Sequence, residues 1–126
     1  MRLPSATALV SLLLLGSCNV LPTTCTLIGC TDGVNVTFNR QAAAPFRVEA
    51  LVPGSEPVVF DCPTANSCTG SSAFLAVVAD EMTIRVTTPS GTVTQQVRPQ
   101  YKAMYPNGRD CGAVCKQAEV TIELPG

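Results

Sequence analysis

Apolar and polar side chains alternate along most of the chain after residue 33, and a period of two predicts strands rather than helices. Val34, Val36 and Phe38 are spaced by Asn35, Thr37 and Asn39, as in a half-buried strand. Phe46, Val48, Ala50 and Val52 repeat the pattern against Arg47 and Glu49, with Leu51 interrupting the polar face. A turn at Pro53-Gly54-Ser55 precedes the short apolar run Val58-Val59-Phe60. Residues 63–72 read as a loop, and 73–78 as a buried strand too short to be a helix. Met82, Ile84 and Val86 alternate with Thr83, Arg85 and Thr87, then Thr88-Pro89-Ser90-Gly91 bends the chain back into 92–97. Residues 101–116 form the longest irregular stretch, centred on Pro106-Asn107-Gly108, with a short helical turn expected near 113–116. Val120, Ile122 and Leu124 mark the final strand. Seven strand candidates with no sustained helical period predict an all-β, mainly antiparallel sandwich over residues 33–126.

The N-terminal segment departs from this pattern. Arg2 precedes an apolar stretch over residues 6–15, long enough for a signal-peptide core and too short to span a bilayer of roughly 30 Å. It closes on Leu15-Gly16-Ser17-Cys18. That ending resembles the lipobox of bacterial lipoproteins, where the leader (here 1–17) is removed and the cysteine thiol is lipidated at the new N-terminus. The resemblance covers the first 18 residues. It implies two or three acyl chains, palmitate among them, on Cys18, and therefore a lasting membrane tether, because a single chain holds a protein only marginally. Residues 18–32 then form the lipidated N-terminus and tether, ending in a turn at Asp32-Gly33. Asn19 stands where aspartate favours inner-membrane retention in this family. The implied location is the bacterial cell envelope, at the outer membrane where the host has one.

Charge and cysteine content narrow the partners. Removing residues 1–17 from 126 leaves 109, one small domain, with seven basic and nine acidic residues and no Lys/Arg cluster. That balance gives no footing for nucleic acid. Setting Cys18 aside leaves Cys25, Cys30, Cys62, Cys68, Cys111 and Cys115, an even set that reads as three disulfides outside the cytosol. The chain has no histidine, and the C-x₄-C, C-x₅-C and C-x₃-C spacings do not repeat the zinc-knuckle C-x₂-C.

In strand number and size the domain resembles immunoglobulin-like and transthyretin-like sandwiches, although it has no tryptophan and so lacks the immunoglobulin Cys–Trp–Cys core. The resemblance is architectural and carries no function. In many such sandwiches the first and last strands lie side by side in parallel. That implies Cys25 and Cys30 facing Cys111 and Cys115, with Cys62–Cys68 as a local staple. Cys30–Cys115 with Cys25–Cys111 is the preferred pairing. The swapped pairing, and three local loops 25–30, 62–68 and 111–115, are the alternatives.

The residue inventory speaks against catalysis. A Ser-His-Asp or Cys-His arrangement needs histidine, and neither Lys102 nor Lys116 stands in an S-x-x-K context. Asp61, Asp80, Glu81 and Asp110 fall at strand ends and turns, and the adjacent Asp80-Glu81 would point to opposite faces of a strand. No calcium loop appears, and no cofactor or metal is expected. Asn35-Val36-Thr37 matches a glycosylation sequon but sits on a strand.

The candidate contact loop is 99–110. Tyr101, Met104, Tyr105 and Arg109 are interface-type residues, with Lys102 and Asp110 adding polar specificity. The structural alternative is a tyrosine tucked against the end of the sandwich and bonded to backbone, as in a tyrosine corner. Asn107-Gly108 is expected to turn because both residues tolerate positive φ. The sequence thus points to a membrane-anchored envelope lipoprotein, a non-enzymatic binding or structural module whose partner is an envelope protein or glycan. The alternative is a small periplasmic enzyme inhibitor of the lysozyme-inhibitor type. Ser90-Gly91 matches the start of that family's Ser-Gly-x-x-Tyr loop, without its tyrosine.

Overall fold

The computed structural model describes residues 24–126; the leader, Cys18 and the first part of the tether lie outside the described residues. Eight strands form two four-stranded sheets. They are β1 (Gly33–Phe38), β2 (Phe46–Leu51), β3 (Val58–Cys62), β4 (Ser72–Leu75), β5 (Met82–Thr88), β6 (Gly91–Val97), β7 (Lys102–Met104) and β8 (Cys115–Ile122). One sheet has the order β4-β1-β8-β7 and the other β3-β2-β5-β6. All pairs are antiparallel except β1 with β8, the first and last strands, which run parallel.

The period-two pattern sets which side chains meet. On β1, Val34 and Val36 point inward and stand beside Ala118 and Val120 of β8 and Leu75 and Ala73 of β4. On the facing sheet, Val48 and Ala50 pair with Val86 and Ile84, and Phe46 pairs with Cys62. These fully or nearly buried residues, with Met82, Ile122 and Leu124, make one continuous core. Burying each large aliphatic side chain contributes about 1.5–3 kcal/mol. Phe46 sits between Phe38, edge-on at 5.8 Å, and Phe60, stacked at 6.2 Å, closing the end of the sandwich away from the start of β1. Gly33 is obligatory at the other end: a Cβ there would collide with the Leu75 carbonyl oxygen and approach the Phe74 ring to 2.6 Å.

Three expectations are corrected. There are eight strands rather than seven, because 102–104, read as irregular, pairs with 115–117 at the sheet edge. The apolar run 73–78 leaves the sheet after Leu75, where the Val77 amide turns back onto the Leu75 carbonyl at 2.9 Å. The helical turn falls at Arg109–Cys111 as a 3₁₀ turn instead of 113–116, since Cys115 and Lys116 are drawn into β8 between β1 and β7.

The clasped end as candidate functional site

The parallel β1–β8 pair places the starts of both strands, and the four cysteines at or before those starts, at one end of the sandwich. Cys25 joins Cys111 and Cys30 joins Cys115, with Cα atoms 5.6 and 5.8 Å apart. Cys62 joins Cys68 across its own short loop. The pairing is the one the sandwich resemblance implied, and the swapped and all-local alternatives fall away. All six described cysteines are thereby used.

Side-chain hydrogen bonds tighten the clasp. The Asn107 carboxamide oxygen accepts from the Thr26 hydroxyl at 2.7 Å and the Ile28 amide at 2.8 Å, while its nitrogen donates to the Ile28 carbonyl at 3.0 Å. One side chain thus serves residues 26–28 as a neighbouring strand would. Its role as a positive-φ turn residue is corrected: only Gly108 of the pair has positive φ, at 95°. Further along, an Asp32 carboxylate oxygen accepts the Lys116 amide at 2.8 Å, and the Gln117 carboxamide donates to the Thr31 carbonyl at 2.9 Å. Residues 25–32, read as tether, are therefore fastened to the domain. No local signal could reveal these bonds, whose partners are 79 to 86 residues apart in the chain.

The four residues singled out in the contact loop divide. Tyr101 takes the structural alternative: its hydroxyl accepts from the Ala79 amide at 3.0 Å and donates to the Ala79 carbonyl at 2.9 Å, and its ring packs against the core. The Lys116 ammonium lies 5.6 Å from the centre of that ring. Met104 and Tyr105 are exposed, and the Arg109 guanidinium lies over the Tyr105 ring at 5.5 Å. The Gly108 amide closes the turn onto the Tyr105 carbonyl at 3.0 Å, and the Val114 amide bonds the Met104 carbonyl at 3.0 Å. Leu27, Ile28 and Val114, which the sequence reading passed over, share this end and are exposed as well.

The remaining candidates belong to the second sheet. Asp61 pairs with Arg47 on the outer face of the second sheet at 3.6 Å. Glu81 receives the Gln96 carboxamide and lies 3.5 Å from Arg98. Ser90-Gly91 closes the β5–β6 hairpin, at the end opposite the clasp. Among the described residues no cluster of three or more Cys, Asp or Glu side chains converges as a metal site. No family model, curated protein or solved structure matches the chain.

Proposed function

We propose that this protein is a lipid-anchored module of the bacterial cell envelope that acts by contact rather than by catalysis. The observation that carries the reading is the closed set of three disulfides, which leaves the seventh cysteine, Cys18, as the one standing in the lipobox-like motif. Three disulfides in a small domain fit an oxidising, extracytoplasmic compartment. Outer-membrane placement in a host with two membranes follows from the lipoprotein resemblance and Asn19.

Of the two sandwich types, the transthyretin-like one has the better support. In immunoglobulin constant domains the first and second strands share a sheet, whereas β1 and β2 here lie in opposite sheets. The contact surface is the clasped end, where Met104, Tyr105 and Arg109 adjoin Leu27, Ile28 and Val114. A surface so rich in aromatic, Met and Arg character is typical of contact sites.

Intact-mass measurement of the protein from its native membranes tests the anchor: acyl chains on Cys18 at a new N-terminus are expected. An intact leader or an unmodified thiol would overturn the reading. Replacing Met104, Tyr105 and Arg109 together by alanine is expected to leave the melting temperature nearly unchanged and to weaken association with envelope material at least tenfold. Lysozyme inhibition by the purified protein would instead favour the inhibitor alternative.

A further inference from the structure

Five of the eight large hydrophobic residues exposed on the described surface belong to the clasped end: Leu27 (fully exposed), Ile28 (54%), Val114 (44%), Met104 (38%) and Tyr105 (37%). Leu27 and Ile28 stand between two cysteines that are both bridged to the 111–115 segment, and Asn107 grips the Ile28 backbone from both sides. Neighbouring apolar side chains are thus fixed in water by covalent and hydrogen-bonded restraint, with nothing in the described domain to cover them. Exposed apolar clusters of this kind mark docking surfaces.

The position of the anchor identifies the occupant. Cys18 precedes Cys25 by seven residues, which span at most about 25 Å when fully extended. An acylated Cys18 therefore keeps the clasped end within that distance of the bilayer. Beside the apolar cluster itself, the clasp segments carry Lys102, Arg109 and Lys116 with Asp32 and Asp110. Glu56, Asp80, Glu81 and Arg98 stand at the second sheet's share of the same end, by the β2–β3 turn, the start of β5 and the end of β6. Tyrosine beside arginine suits the headgroup level, with aliphatic side chains reaching the acyl boundary.

We infer that the clasped end of the sandwich seats on the bilayer interface, Leu27 and Ile28 inserted and the neighbouring Lys102, Arg109 and Lys116 among the headgroups, so that the domain is held in a fixed orientation and not merely leashed. This rests on the lipid-anchor reading and names the partner of the contact surface. The opposite end, with the Ser90-Gly91 hairpin, then faces away from the membrane.

The chain has no tryptophan, so a single introduced indole is an unambiguous reporter. The lipidated protein is purified as L27W and, separately, as S90W, both at exposed positions that leave the core untouched. Each is reconstituted in vesicles of phosphatidylethanolamine and phosphatidylglycerol with brominated acyl chains. Quenching at least threefold greater for L27W than for S90W, with a blue-shifted emission, is the expected result. Equal, weak quenching of two proteins shown by mass to carry lipid overturns the seating alone. A blue shift of L27W that appears only when envelope proteins are added, without quenching by brominated lipid, also overturns it in favour of a protein partner. Absence of lipid from Cys18 removes the anchor reading and the inference with it.

Discussion

The Tyr101 hydroxyl satisfies both backbone groups of Ala79, in a stretch that has just left the sheet and has no strand partner of its own. A net hydrogen bond contributes about 0.5–1.5 kcal/mol, and leaving a half-buried group unpaired costs more. Tyr101→Phe keeps the ring against the core and removes both bonds. The expected loss is about 1–2 kcal/mol, read as a melting temperature lower by several degrees, with membrane seating unchanged. An unaltered melting temperature would mean that water replaces the hydroxyl at no cost. Tyr101 and Tyr105 are indistinguishable by local context, both being tyrosines in a Lys- and Pro-bearing loop. Only the path of residues 76–80 past the end of the sandwich separates an anchor of the backbone from a surface contact.

At the scale of elements, the second sheet carries a short ladder of charges on its outer face. Glu49 on β2 pairs in register with Arg85 on β5, and Arg47 on β2 with Asp61 on β3. The Arg85 guanidinium donates to Glu49 at 2.7 Å, and Arg47 lies 4.0 Å from the same carboxylate. The Arg85 hydrogen bond holds the Glu49 carboxyl below its ordinary value, against partial desolvation that pushes it up, and the charges of Arg85 and Arg47 add to the lowering. Because the folded value is depressed, the unfolded chain binds the proton first as pH falls. This contribution is therefore fully present above the ordinary carboxylate range and drains away as pH drops through the lower, folded value. Both arginines are substantially exposed, so solvent screening keeps the effect within about 1 kcal/mol. Urea midpoints between neutral pH and about pH 3 should fall less for Glu49→Gln than for the unaltered protein, and equal slopes would exclude the pair as a source of acid sensitivity. The alternation that made β2 and β5 recognisable also put Glu49 and Arg85 outward. Their pairing depended on register.

Across the whole molecule, the two clasp disulfides are not independent. Either one alone closes a loop of about 86 residues, a chain-entropy contribution of about 4.6 kcal/mol. Once one is formed, the second closes only the small ring of residues 25–30 and 111–115, about 11 residues, and adds about 2.8 kcal/mol. Removing either bridge as a Cys pair to alanine should therefore cost about 3 kcal/mol, and removing both about 7. Cys115 is buried and Cys25 exposed, so the Cys30–Cys115 pair should be the costlier of the two. Urea unfolding of the two double variants and the quadruple variant checks this. Single-bridge losses near 4.6 kcal/mol each would show that the bridges act separately. With total stabilities of such domains about 5–15 kcal/mol, the quadruple variant stands close to unfolding.

Sequence alone determined the strand positions of the core, the all-β class and the even set of six cysteines for cross-linking. These rest on local periodicity, composition and residue identity, which need no knowledge of neighbours in space. The tertiary structure decided what joins distant segments: β7 as an eighth strand, the choice among disulfide pairings, Asn107 as the fastener of residues 26–28, Tyr101 as a support for Ala79, and the gathering of Leu27, Ile28, Tyr105 and Val114 at one end. Those contacts join residues as many as 86 positions apart. The parallel alignment of the first and last strands creates those of the clasp, and no local pattern encodes that alignment.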